Sequence, residues 1–465
     1  MNMINVRRLT VMTFLGAGML SSISAQISPL QVDTLKETKI PDQWDLQSCI
    51  DYAKEQNITI RKNRITAAST QIDVKTAKAA MFPSLSFSTS QQVVNRPYQE
   101  TSSRVSGSEI ISSNSKTSYN GNYGLNASWT LYNGNKRLKT IQQEKLNNQM
   151  AELDVATSEN NIQESIAQVY IQILYAAESV KVNENTLQVS IAQRDRGQEL
   201  LNAGSIAKSD LAQLEAQVST DRYQLVTAQA TLEDYKLQLK QLLELDGENE
   251  MNIYLPALSD ENVLAPLPTK RDVYISALSL RPEIEASKLN VEASELGINI
   301  AKSSYFPTIS LSAGIGTNHT SGSDFTFGEQ VKNGWNNSIG LSVSVPIFNN
   351  RQTKSAVQKA KLQYETSMLS LLDEQKALYK TIESLWLDAN SAQQRYAAAN
   401  EKLKSTQISY ELISEQFNLG MKNTVELLTE KNNLLQAQQE QLQAKYMAIL
   451  NTQLLKFYQG DQLAL

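Results

Sequence analysis

Side chains able to carry chemistry are sparse in this chain of 465 residues. One histidine, His319, and one cysteine, Cys49, exclude a disulfide framework and every zinc site that needs several such ligands. There is no phosphate loop ending in Gly-Lys, no Gly-x-Ser-x-Gly elbow and no His-Glu-x-x-His pair, the usual carriers of nucleotide, serine and zinc chemistry. The expectation is a protein that is not an enzyme and that holds neither cofactor nor metal. His319 reads as a surface-loop residue of a hairpin tip, and Cys49 as a small apolar residue of a first helix. Two carboxylates are singled out by position, because Asp210 and Glu426 each follow a glycine, Gly204 and Gly420, by six residues near a helix start. An acid there caps the helix or meets the positive end of its dipole, worth about 0.3–1 kcal/mol. Lys422 reads as a solvated turn residue.

The elements that must place these residues follow from proline and glycine. No proline occurs in 98–255 or 347–465. The pattern predicts helices at about 134–198, 206–245, 351–416 and 422–458, with shorter ones near 46–80 and 270–303. At 1.5 Å per residue the two longest each reach about 95 Å, longer than a single globular core needs. A heptad seam runs through Leu211, Val218, Leu225, Leu232 and Leu239 beside a row of Leu214, Asp221, Ala228, Tyr235 and Leu242. After Gly420, Leu428, Leu435, Leu442 and Ile449 keep the period, and Leu427, Leu434, Ala437, Ala444 and Ala448 add a second face. A helix with two packing faces has a neighbour on each side, as in the wall of a bundle or tube.

Strand-like alternation lies between the helices, over 84–132 and 307–348. Leu85 and Phe87, then Leu125, Ala127, Trp129 and Leu131, alternate with small polar residues. Ile309, Leu311, Ala313 and Ile315 do the same, as do Ile339, Leu341, Val343, Val345 and Ile347. Runs of about ten residues match tilted transmembrane strands, a period that half-buried soluble sheets share. Aromatics mark every junction of helix and strand: Phe82, Tyr132, Tyr305, Phe306 and Phe348. They are placed as a girdle at a bilayer interface would be. The tips, about 91–119 and 317–336, are polar and serine-rich. Four strands leave two open edges, which lipid does not tolerate, so several copies must share one barrel. Eight, twelve and sixteen strands are all arithmetically open.

Residues 1–25 have the layout of a secretory signal peptide: Arg7 and Arg8, the apolar run from Leu9 to Leu20, then Ser22-Ile23-Ser24-Ala25 with cleavage after Ala25. Losing the two arginines takes the formal net charge from -5 to about -7, and no basic run remains to follow phosphates, so no nucleic-acid partner is expected. The mature chain divides into a linker (26–45), a first repeat (46–245), a linker or equatorial segment (246–269) and a second repeat (270–465). The duplication is visible in matched motifs. Phe82-Pro83-Ser84 parallels Phe306-Pro307-Thr308, Leu125-x2-Ser128-x4-Asn133 parallels Leu341-x2-Ser344-x4-Asn349, and Gly204-x5-Asp210-Leu211 parallels Gly420-x5-Glu426-Leu427.

With these motifs in this order the chain resembles the TolC-like outer membrane efflux proteins. The likeness rests on Leu46-x2-Cys49-Ile50-x2-Ala53-x3-Asn57, its counterpart at Arg281-Pro282-Glu283-Ile284, both hairpins, and the turns at Leu201-x2-Gly204 and Phe417-x2-Gly420. The resemblance implies a mainly α protein with β: a long α-helical barrel joined to a transmembrane β-barrel, four strands per protomer of a trimeric twelve-stranded barrel. It also implies a homotrimer in outer membrane lipid, docked through its turns (Leu201, Gly204, Leu419, Gly420) to a periplasmic adaptor, or membrane fusion protein, and to an inner membrane efflux pump or ABC transporter. In the family a second-repeat helix lines the periplasmic constriction with acids; Glu426 matches one such position, and Thr429 falls where a second acid stands. Lys422 matches a basic position that helps hold the closed state, and Phe417 replaces a tyrosine. Together with Asp210 these are the gate candidates.

The expected function is a passive export duct of a tripartite efflux or type I secretion system, located in the outer membrane of a Gram-negative cell with its helices in the periplasm. A trimeric coiled-coil surface adhesin or a periplasmic scaffold is the alternative; the first leaves two matched hairpins unexplained, the second leaves apolar strand faces unburied.

Overall fold

Asp45 starts the first helix by accepting the Ser48 N–H at 2.7 Å. The computed structural model describes residues 41–98, 102–106, 109–113, 116–246, 251–256, 263–323 and 325–463. The expected signal peptide lies outside the described residues, as does most of the linker expected over 26–45. Its last residues do not behave as a linker: Trp44 is fully buried and bridges in parallel to Ile253.

Helices α1 (Leu46–Gln56) and α2 (Ile58–Ala79) replace the single helix expected over 46–80. The break falls at Asn57, whose Oδ1 accepts the N–H of Thr59 at 2.9 Å while its amide donates to the Leu242 carbonyl at 3.1 Å. Strand β1 (Ser84–Asn95), a small ribbon of β2 (Ser102–Ser106) and β3 (Glu109–Ser113), and β4 (Thr117–Asn133) follow. Next come the 67-residue α3 (Lys136–Asn202) and α4 (Lys208–Leu242).

The second half repeats this order. Helices α5 (Lys270–Leu280) and α6 (Pro282–Lys302) break at Arg281, again where one helix was expected. Pro282 disfavours helical dihedrals in the residue before it, and Arg281 sits at φ -75°, ψ 124°. Then come β5 (Thr308–Thr320), the short α7 (Phe327–Asn333), β6 (Asn336–Ser344), the 67-residue α8 (Gln352–Asn418) and α9 (Thr424–Gln459). Both strand-to-helix junctions turn through two successive left-handed residues, Gly134 with Asn135 and Asn350 with Arg351.

The heptad positions pack as their pattern requires. Leu211, Leu214, Val218 and Leu239 are buried, and Leu225, Ala228, Leu232, Tyr235 and Leu242 are half-buried. Gly197 of α3 admits the Leu214 side chain, because a Cβ there would lie 2.4 Å from its Cδ1. The densest core gathers where α1 crosses α3 and the ends of α4 and α9: Cys49, Ile50 and Ala53 against Ile166, Tyr170 and Ile173, with Leu239, Leu243 and Leu454. Tyr170 ties in the segment after α4 by donating to the Tyr254 carbonyl at 2.6 Å. Burial pushes the Cys49 thiol up to about 12, so it packs as a small apolar group.

All four long strands form one antiparallel sheet in the order β1-β4-β5-β6. The strands depart from the expected pattern at two places, and the tips between them differ in length. A bulge between Thr130 and Tyr132 puts Leu131 out of register and brings Tyr132 opposite Ile309, in the row expected to be apolar. Strand β6 ends at Ser344, so Val345 and Ile347 lie beyond it; Pro346 has no N–H to continue a ladder. The hairpin tips are shorter than 91–119 and 317–336, because β1 runs to Asn95, β4 starts at Thr117 and β5 reaches Thr320.

Candidate functional site

Two regions could serve a pore: the turns that end the long helix pairs, and the sheet. Each turn closes in the same way. Gly204 and Gly420 both take φ +73°, with open space around them. Two paired bonds close each helix end, Gly204 N to Leu201 O at 2.9 Å with Ser205 N to Leu200 O at 2.8 Å, and Gly420 N to Phe417 O at 2.9 Å with Met421 N to Gln416 O at 2.8 Å. The left-handed residue satisfies carbonyls that the helix leaves free. Phe417 is buried below its turn, Leu201 is half-buried, and Leu419 projects into solvent, 74% exposed.

Asp210 and Glu426 each occupy the third position of the following helix. Asp210 accepts the Ala207 N–H at 3.0 Å, and Glu426 accepts the Asn423 N–H at 3.2 Å while Asn423 accepts the Glu426 N–H at 2.9 Å. Capping therefore accounts for both acids locally. Glu426 carries a further contact, an ion pair with Lys422 at 2.5 Å. The Lys422 hydrogen bond, and then the Asn423 backbone, hold its carboxyl below the usual range, so it is charged at neutral pH. Thr429 donates to the Val425 carbonyl at 2.8 Å, an ordinary turn of helix.

Sequence reasoning missed a cluster higher in the helices. Lys431 of α9 is buried and pairs with Asp221 of α4 and with Ser190 of α3, all three at most 3% exposed. Gln217 completes the carboxylate by donating to its other oxygen at 2.9 Å. Burial pulls the Lys431 ammonium down while the Asp221 hydrogen bond opposes that shift. The signal was present: Asp221 stands in a row of apolar heptad positions, and a buried acid requires a partner. Nearby, Gln193 of α3 donates to the Tyr410 hydroxyl of α8 at 2.8 Å, a second link between the two helix pairs.

The sheet presents two unlike faces. One carries the rows Ser84, Ser128, Ser312, Gly340 and Ser86, Asn126, Gly314, Ser338; the other carries Trp129, Leu311, Leu341 and Tyr132, Ile309, Val343. The apolar side chains are not covered: Leu85, Phe87, Leu341 and Val343 are 57–70% exposed, and Leu125, Trp129 and Leu131 about 40%. Both edge strands, β1 and β6, keep one side unpaired within the chain. At the junctions Phe82, Tyr132, Tyr305, Phe306 and Phe348 are all exposed. Beneath them the Trp129 indole donates to the Met81 carbonyl at 2.8 Å, and Arg137 donates to the carbonyls of Ala80, at 2.7 Å, and Thr130. These bonds tie the helix ends to the sheet. His319 is not a loop residue; it lies on β5, half-buried and stacked on Tyr123.

An antiparallel sheet with two free edges and an exposed apolar face, carried on two helices of 67 residues that are each paired with a shorter helix, defines a duplicated channel-type fold. The chain belongs to the outer membrane efflux protein family, which it matches over residues 49–244 and 273–460. It is 24% identical over 294 residues to the outer membrane efflux protein BepC of Brucella suis, a stretch covering 63% of this chain and 61% of that protein. It thus spans about three-fifths of that relative's length. Toxin and drug export protein A of Aggregatibacter actinomycetemcomitans is 21% identical over 428 residues, covering 89% of this chain and 87% of that one. In fold the chain is similar to the outer membrane protein VceC of Vibrio cholerae, with a TM-score of 0.72, 16% identity, and coverage of 90% of this chain and 97% of that one. Among the described residues no helix is long and apolar enough to cross a membrane, which says nothing of strands.

Proposed function

We propose that three copies of this chain assemble a passive export duct in the outer membrane of a Gram-negative cell, twelve strands crossing the lipid and twelve long helices continuing the tube into the periplasm. The observation that carries this reading is the sheet: its edges are open and its apolar face is exposed, so burial in lipid and closure against neighbouring copies satisfy both at once. Leu85, Phe87, Leu125, Trp129, Ile309, Leu311, Leu341 and Val343 then face lipid, with the junction aromatics as the inner girdle; Leu131, displaced by the bulge, and Val345, beyond the end of β6, drop out of that set.

The polar face of serine, asparagine and glycine lines the lumen and lowers the barrier to polar solutes without supplying energy. Energy comes from an inner membrane efflux pump or ABC transporter, reached through a periplasmic adaptor that docks on the exposed turns around Gly204 and Gly420. This is the arrangement of tripartite efflux and type I secretion, and no step in it calls for catalysis, a cofactor or a metal. Residues 1–25 act as the export signal, and 46–245 and 270–465 are the two repeats of each protomer. Glu426 of three copies forms a charged ring at the constriction, with Lys422 bracing it, Asp210 flanking it and Phe417 packed beneath. Sucrose-gradient fractionation combined with planar-bilayer recording tests the reading. A detergent-requiring, outer-membrane protein with stable conductance is expected; recovery in the soluble periplasm would overturn it.

A further inference from the structure

We propose that residues 325–335, the short helix α7 and its flanking aromatics, form a foot lying in the outer leaflet at the boundary between acyl chains and headgroups. This rests on the reading of the sheet as a transmembrane wall. It starts from the side of the sheet on which the segment sits. Thr317 and His319 are in phase along β5 with Ile309, Leu311, Ala313 and Ile315, the apolar face. Thr317 Oγ1 donates to the Val331 carbonyl at 2.7 Å, and the Phe327 ring meets the edge of His319 at 5.1 Å. Helix α7 is therefore packed on the face that meets lipid, not folded over the polar face that lines the lumen. Thr320 N–H adds a bond to Gln330 Oε1 at 2.8 Å.

The exposed apolar side chains of this segment are aromatic. Phe325, Phe327 and Trp335 are 53%, 44% and 57% exposed, and Trp335 precedes β6 in phase with Ile339 and Leu341. On the same face Tyr119 lies opposite Val93, both more than half exposed. Height fits as well. Eight residues separate Ile309, beside the girdle residue Tyr132, from Thr317; a strand tilted about 45° climbs about 20 Å over that span, so the cluster lies at the far border of an apolar band about 25 Å tall. Trp335 and Tyr119, each an apolar ring with a polar N–H or O–H, favour that border, and Phe325 and Phe327 add apolar area beside them. Glu329, Lys332 and Asn333 are exposed as well, so one short helix offers both characters an interface needs. A capping box fixes its start, with Thr326 N–H on Glu329 at 2.8 Å. The first repeat carries the β2–β3 ribbon at the matching place, so each protomer has one such foot.

Nitroxide labels on the full chain, assembled in phosphatidylethanolamine–phosphatidylglycerol vesicles, test this. Labels replace Phe325→Cys and Trp335→Cys, with Leu341→Cys as the lipid reference and Asn202→Cys, in the helical turn, as the water reference. Native Cys49 is fully buried and does not compete for label. At 325 and 335 we expect collisions with a water-soluble nickel chelate severalfold rarer than at Asn202, and collisions with oxygen severalfold more frequent. If both positions match Asn202 while Leu341 stays lipid-protected, the segment stands in water and the foot is disproved. Exclusion of both reagents would assign the aromatics to a contact with protein, such as a neighbouring copy, and also overturns it. A water-exposed Leu341 would sink the transmembrane reading itself, and the foot with it.

Discussion

Glu426 does two things with one carboxylate: it caps α9 and it pairs with Lys422. Its depressed titration has a definite sign. The charged form is favoured in the folded protein, so whatever the charge contributes is present above the ordinary carboxyl value near 4.5 and is lost only as pH falls below it. Cation selectivity in planar bilayers should therefore persist through pH 4.5. Replacing Lys422 by Met should move its loss to higher pH. Glu426→Gln should remove it, and an unchanged reversal potential in that variant would eliminate the charged ring. Lys431 poses the opposite case, a charge with almost no water around it. Lys431→Met leaves Asp221 buried beside Ser190 without a counter-charge and should destabilise the protein by about 3–5 kcal/mol. The double replacement Lys431→Met with Asp221→Leu should recover most of that, read from thermal unfolding in detergent. Equal loss in single and double variants would show that shape rather than charge pairing holds the three helices together.

At the scale of elements, the helix pairs depend on two turns whose glycines have open space where a Cβ would stand. A side chain at Gly204 or Gly420 meets open space, so the cost of substitution comes from the left-handed backbone alone. Gly420→Ala should cost about 1 kcal/mol, and Gly420→Asn less, since Asn tolerates that region. Hydrogen exchange of the amides of Gly420 and Met421 reports this: faster exchange in the Ala variant than in the Asn variant is expected, with the junction around Arg137 unaffected. The helix breaks at Asn57 and Arg281 hold equivalent places but use different chemistry. Asn57 caps with its Oδ1, whereas the buried Arg281 guanidinium pairs with Glu164 at 3.1 Å and Glu283 at 2.8 Å and lies 4.2 Å over Tyr458. Arg281→Lys keeps the charge and loses the planar fork and the stacking, so its thermal midpoint should fall well below that of wild type. A midpoint unchanged by that exchange would show that charge alone suffices there.

For the whole molecule, the unpaired sides of β1 and β6 require a neighbour, and the neighbour available by symmetry is another copy. Cross-linking between cysteines placed on β1 and β6 should yield covalent rings of three chains in outer-membrane extracts. Monomers alone after such treatment would contradict the assembly. What was legible in the sequence is what local periodicity encodes. Proline-free runs gave the long helices, and heptad spacing named the buried seam from Leu211 to Leu242. Two-residue alternation named the strands, and the matched motifs named the family. These follow from backbone geometry repeated over many residues, so each residue needs only its near neighbours in sequence to be read. Tertiary structure alone decided the rest. Lys431 reaches Asp221 across 210 residues, the Leu131 bulge re-aims Tyr132, Val345 drops out of its strand, and α7 folds onto the apolar face of the sheet through His319 and Thr317. The Lys431 pair and the bulge opposite Ile309 join segments far apart in the chain, and the α7 contacts close a short loop back onto its own strand; in each of these the partner, not the local pattern, determines which side a residue faces.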